Sequence, residues 1–270
     1  MKLGFIGLGA VGKTLYDVFS EKYETCFFDI QILNSKITDI LIADIVFIAV
    51  PTNLNKNNEC DLSILDDIME QLFNLKYKGI ICIKSTILPE TTVNYIKKYN
   101  NQNICFCPEF LKERCAYNDF KYNNKICIIG TEDENVYTNI KNVHEFICSE
   151  FRKVSPTEAE LTKYFQNVYN TNKILFANAF YEICKSKNIV YDNIIDNLLY
   201  RKEIDPLYLK CNDELRGPSG PCLVKDTVAF NTYVNSLNKE ISPTIFQSLV
   251  NDIKLYPKTV IKGTRPEKTD

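Results

Sequence analysis

The chain has 270 residues, of which 45% are hydrophobic and 24% charged, with a formal net charge of −2. That balance excludes a wholly disordered chain and leaves no global positive field for nucleic acid or an anionic membrane surface. No apolar run reaches the roughly 18–20 residues of a membrane helix, and residues 1–7 lack the pattern of a signal peptide, so the expectation is a cytoplasmic protein of one or two domains.

Residues 2–6 are a short apolar run expected as a strand. It leads into Gly7-Leu8-Gly9-Ala10-Val11-Gly12, a G-x-G-x-x-G, then a helical pattern over 11–22 and a second strand over 24–28 that ends at Asp29. Strand, turn, helix, strand and acid follow in the order of a dinucleotide-binding unit, with Asp29 about 20 residues beyond the glycines. Gly7 serves the tight turn, Gly9 lets backbone approach a pyrophosphate, and Gly12 lets helix and strand pack closely. Val11 opens the helix, whose N-terminal N–H groups and positive dipole face the phosphates. Asp29 suits ribose hydroxyls and would repel a 2′-phosphate, which predicts NAD rather than NADP as the cofactor.

The next apolar strand, 45–50, ends in Pro51-Thr52. Asp61 is expected to cap a helix over 62–73. A strand over 79–84 ends in Ser85-Thr86, and Pro89 is expected to open the following helix. Strands over 104–107 and 125–129 end at Pro108-Glu109 and Gly130. Alternating strands and helices predict an α/β fold with a doubly wound, Rossmann-like parallel sheet, and polar residues gather at the carboxyl ends of strands, where such sheets bind ligands. At Ser155-Pro156-Thr157-Glu158 the pattern changes: a serine cap, a proline at the first helical position and a glutamate reaching back predict one long helix over about 156–187, followed by shorter ones. The expected organisation is an NAD-binding domain at 1–153, an all-helical central and dimerisation domain at 154–257, and a polar tail at 258–270.

Eleven cysteines are irregularly spaced, with one C-x-C at Cys105 and Cys107 and no paired CxxC motifs. Structural zinc, or any metal, is therefore not expected, and most thiols should be reduced and buried. The single histidine, His144, lies in a helical pattern and is expected to pack or face solvent.

Several segments occur together: Phe47-Ile48-Ala49-Val50-Pro51-Thr52, Lys84-Ser85-Thr86-Ile87-Leu88-Pro89, Pro108-Glu109-Phe110-Leu111-Lys112-Glu113, Glu158-Ala159-Glu160-Leu161-Thr162-Lys163 and Gly220-Pro221-Cys222-Leu223-Val224-Lys225-Asp226. With the glycine turn and Asp61-Leu62-Ser63, they resemble the UDP-glucose/GDP-mannose dehydrogenase family in content and order, from residue 1 to about 257. The resemblance implies oxidation of a nucleotide-sugar C6 alcohol to a carboxylate with two NAD, UDP-glucose being the first candidate, and a place in polysaccharide biosynthesis. It implies Cys222 as nucleophile, with Lys225 favouring its thiolate and Asp226 organising water or taking a proton. Lys163 and Asn167, four apart on one helix face, would stabilise the oxyanion, and Glu109 would activate water. Thr86 and Glu113 would position water or the nicotinamide, and Pro51, Thr52, Thr86, Glu113 and Lys225 join the glycines, Val11 and Asp29 around the cofactor. It also implies a homodimer through the long helix, where Phe165, Val168, Leu175 and Phe176 include more apolar surface than one protomer face needs, though some of them must line the domain's own core.

Three departures stand beside the resemblance. Family members usually continue into a third, again Rossmann-like domain, so a short form is expected, either minimal or completed by another chain. The segment 29–43 is short, and Ala10, Val224 and Leu207 replace a tyrosine, a proline and an arginine common at those places. Two other readings stay open: a β-hydroxyacid-type dehydrogenase, which also carries Lys-x-x-x-Asn but needs no cysteine, and an NAD-binding partner subunit with little activity of its own.

Overall fold

A computed structural model describes residues 1–201, 203–218, 220–237 and 243–256. The polar tail expected at 258–270 lies outside these residues. The chain divides into two compact units. The first comprises Met1–Asn53 and Cys60–Lys163, and the second comprises Leu54–Glu59 and the chain from Tyr164 onward.

The first unit is built on a seven-stranded sheet: β1 (Lys2–Ile6), β2 (Glu24–Phe28), β3 (Ile45–Ile48), β4 (Ile80–Ile83), β5 (Ile104–Phe106), β6 (Ile126–Gly130) and β7 (Glu150–Val154), in the order β2-β1-β3-β4-β5-β6-β7. The pairs from β2 through β5 are parallel. The β5–β6 pair is antiparallel, through Phe106 and Gly130, and β6–β7 is parallel again. The sheet is the expected Rossmann-like one, mostly parallel, with the detail that β6 and β7 run opposite to the other strands at one edge. β7 escapes a reading by apolar runs because Glu-Phe-Arg-Lys-Val is half polar.

Between the strands lie α1 (Ala10–Phe19), α2 (Ser63–Asn74), α3 (Thr91–Tyr99), the short α4 (Ala116–Asn118) and α5 (Glu134–His144). Side chains of the central strands alternate between two cores. Phe5, Phe47, Cys82, Cys105 and Cys107 enter one, and Ile6, Ile48, Ile83 and Phe106 enter the other. Two helix starts differ from expectation. Leu62, not Asp61, holds the cap position of α2, while Asp61 Oδ1 accepts the N–H of Ser63 at 2.9 Å. Pro89 precedes α3 by two residues, and Glu90, at φ +74°, turns the chain into the helix.

α6 (Pro156–Ser186) begins as its sequence dictates. Ser155 N donates to Glu158 Oε2 at 2.8 Å, and Glu158 N donates to Ser155 Oγ at 3.3 Å, a reciprocal capping box. Its first turns belong to the first unit, where Ala159 is wholly buried and Glu160 accepts from Glu90 N and Thr92 N at 2.7 and 2.8 Å. The second unit holds the rest of α6 with α7 (Tyr191–Leu199), α8 (Pro221–Ser236) and α9 (Ile245–Ile253). Val168, Leu175 and Leu249 form one of its cores. Among the described residues, no helix is long and apolar enough to cross a membrane.

Candidate functional site

In the first unit the glycine turn joins β1 to α1. Gly7 takes φ +83°, and a Cβ there would sit 2.6 Å from the Ala49 carbonyl oxygen. A Cβ on Gly12 would overlap the Gly7 carbonyl oxygen, whereas one on Gly9 would meet nothing within 4 Å. Gly7 and Gly12 are therefore glycines for the fold, and Gly9 leaves open space in front of the α1 N-terminus, where a pyrophosphate fits. Val11 is half-buried in the first turn of α1. At the end of β2, Asp29 Oδ2 accepts the N–H of Leu8 at 2.6 Å and Oδ1 that of Gln31 at 2.8 Å. The acid thus ties the second strand end to the glycine turn. The residues present fit a dinucleotide.

The loops after β3 and β4 are stitched together. Thr52, buried, donates its hydroxyl to the Thr86 carbonyl at 2.7 Å, and Ser85 Oγ accepts from Val50 N and donates to Val50 O, both at 2.8 Å. Pro51 is exposed beside them, and Thr86 is half-buried. Sequence reasoning gives no role to Ser85, which a polar residue just after an apolar strand could have signalled.

After β5, Glu109 is 6% exposed. Its Oε1 accepts the N–H groups of Phe110 at 2.9 Å and Leu111 at 3.2 Å, and its Oε2 lies 3.3 Å from the Lys84 ammonium. Burial alone would lower the Lys84 pKa, but the neighbouring Cys107 and Glu109 outweigh it, so the pKa stands well above that of an ordinary lysine. Lys84, a cation closing an apolar strand, is a second residue to which sequence reasoning gives no role. Lys163 donates to the Glu109 carbonyl oxygen at 2.6 Å and lies 5.4 Å from the Phe110 ring centre. Glu113 is exposed, on a short 3-10 turn.

In the second unit Cys222 is the second residue of α8 and is exposed. One turn on, Asp226 is wholly buried and accepts from Asn167 Nδ2 at 2.5 Å. Lys225 Nζ stands 2.6 Å from Asp226 Oδ1, a close ion pair between adjacent residues whose alignment does not make a hydrogen bond. The structure therefore brings Asn167, Lys225 and Asp226 together, with Cys222 at the N-terminal end of the same helix.

Sheet, glycine turn and acid define a Rossmann-type NAD-binding domain, here joined by a helical unit. Comparison with known proteins resolves the class further. Residues 30–148 match the NAD binding domain of the UDP-glucose/GDP-mannose dehydrogenase family, and residues 157–252 match its central domain. A UDP-glucose 6-dehydrogenase of Campylobacter jejuni is 31% identical over 234 residues, 82% of this chain and 58% of that protein. One of Rickettsia bellii is 26% identical over 224 residues, 80% of this chain and 50% of that protein. The chain spans about half the length of the curated relatives it matches. A UDP-glucose dehydrogenase structure from Pyrobaculum islandicum shares the fold, with TM-score 0.85 at 23% identity over 94% of this chain and 68% of that one. The chain belongs to the UDP-glucose/GDP-mannose dehydrogenase family and carries its NAD-binding and central domains.

Proposed function

We propose that the chain oxidises the C6 alcohol of a nucleotide sugar, UDP-glucose first, to the carboxylate. NAD supplies the hydride acceptor in both oxidations. The observation that carries this reading is the exposed Cys222 at the N-terminal end of α8, followed by Lys225 and Asp226, in a segment matched to the family's central domain.

In the first step the alcohol loses a hydride and a proton to give the aldehyde. The Cys222 thiolate then adds to the aldehyde carbon, forming a C–S bond and a thiohemiacetal. Loss of a second hydride leaves a thioester, and water cleaves the C–S bond to release carboxylate and thiolate. A cysteine is needed because a free aldehyde has no tetrahedral carbon from which the second hydride can leave. The positive end of α8 is electrostatically suited to the thiolate. In this reading the Lys163 ammonium and Asn167 amide stabilise the oxyanion. Glu109 takes the proton of the hydrolytic water, and Asp226 orients Asn167. Thr86 and Glu113 position water or the nicotinamide, and Asp29 holds the adenosine ribose.

The reading extends to a homodimer. Phe165, Tyr169, Phe176, Phe180 and Ile183 recur along one stripe of α6 and are exposed in the single chain. A uronate product would serve polysaccharide synthesis in the cytoplasm.

The test is NADH formed per limiting UDP-glucose, then per other UDP- and GDP-sugars, with excess NAD. Two NADH per sugar, lost in Cys222→Ser, is the expected result. One NADH per substrate would instead support the small-substrate dehydrogenase, and NAD binding with no turnover the partner-subunit reading.

A further inference from the structure

The core on one face of the sheet contains a set of soft ligands to which none of the proposed chemistry assigns a use. Cys107 directly follows β5, Cys127 lies on β6, and His144 is the last residue of α5. All three are buried, and their two sulfurs and a ring nitrogen lie within 4.8 Å of one another. The sulfurs of Cys107 and Cys127 are 3.6 Å apart. Two sulfurs at that spacing, each about 2.3 Å from one ion, subtend roughly 100° at it, close to tetrahedral.

His144 carries the second observation. Its Nδ1 stands 2.8 Å from the Ile140 carbonyl oxygen, which makes Nδ1 the protonated donor. Nε2 then keeps a lone pair, yet it is buried without a hydrogen-bond partner. The rings of Phe19 and Phe47 meet the imidazole edge-on, so these neighbours supply no partner. One nitrogen anchored on a backbone carbonyl with the other left bare is how a metal-ligating histidine is oriented.

We propose that Cys107, Cys127 and His144 provide three of the ligands of a buried site for a soft, tetrahedral divalent cation of the Zn²⁺ type. Two thiolates and a neutral imidazole balance a dication, and the Lys84 ammonium lies 3.4 Å from Cys107 Sγ. The spacing of the three residues makes no zinc motif in the chain; β5, β6 and α5 bring them together only on folding.

The test is elemental analysis of the untagged full chain expressed with zinc, beside the same chain expressed with cobalt. Stoichiometric zinc and thiolate-to-cobalt charge-transfer absorption are expected, with metal lost in Cys127→Ala and His144→Phe and kept in Cys184→Ala and Cys222→Ser. If the two ligand variants fail to fold, the cobalt spectrum of the unaltered chain still decides. A folded chain with no stoichiometric metal and no such absorption overturns the proposal. So does stoichiometric copper in place of zinc, a Cys107–Cys127 disulfide found by mass spectrometry, or metal lost with Cys222 and kept with Cys127 changed.

Discussion

Lys84 and Glu109 form an ion pair at 3.3 Å with side-chain exposures of 2% and 6%, between the ends of two neighbouring strands. The pair persists in the core because each charge has further partners: Glu109 takes two backbone N–H groups, and Lys84 also reaches Cys107. Removing one partner leaves the other charge buried and uncompensated. Lys84→Met is expected to cost about 3–5 kcal/mol of stability, read as a lower urea midpoint at unchanged slope. A loss within about 0.5 kcal/mol would mean that the carboxylate does not depend on its cation.

Two glycines of the turn should separate fold from ligand. Gly12→Ala forces a methyl group into the Gly7 carbonyl and should cost about 1–3 kcal/mol by overpacking. Gly9 has φ −67°, which alanine adopts freely, and its Cβ would meet open space. Gly9→Ala should therefore unfold like the parent, within about 0.5 kcal/mol, while NADH affinity by fluorescence titration falls about tenfold or more. Equal affinity in Gly9→Ala would place the pyrophosphate elsewhere.

Glu160 on α6 is wholly buried and caps α3 from 68 residues away, accepting from Thr92 N and Thr92 Oγ1 at 2.8 and 2.6 Å. Burial raises its pKa to about 7. The folded chain thus binds the proton more tightly than the unfolded one. The stability that this protonation contributes is fully present below the ordinary carboxylate range and is lost as pH rises through about 7. Relative to Glu160→Gln, the parent should lose up to about 3 kcal/mol between acid and neutral pH. Parallel stability curves for the two proteins over that window would show that the carboxylate is ionised throughout.

The α6 stripe makes a quantitative claim about assembly. Phe165 is 74% exposed and Phe176 59%, values that large apolar side chains seldom keep along a whole helix face. Light scattering of the purified chain should give twice the monomer mass, and the double change Phe165→Asp and Phe176→Asp should halve it with the circular dichroism unchanged. A monomeric parent would remove the proposed dimer.

Much of this protein was determined by short stretches of its sequence. The glycine turn with Asp29 and the capping box at Ser155 and Glu158 each solve a local problem of backbone conformation or hydrogen bonding, so they can be read without knowing what packs on them. The central strands are legible for the same reason: a run such as Ile45–Ile48 is apolar because both faces are covered. Other features exist only in three dimensions. β7 pairs on one side, so its polar residues hide it from any search for apolar runs. The reversal of β6 depends on which edge it joins. Thr92 and Glu160, Lys84 and Glu109, and Cys107, Cys127 and His144 lie far apart in the chain and meet only in the fold. Their partners are chosen by the register of strands and the docking of helices, which satisfy buried charges and lone pairs that no neighbour in sequence could reach.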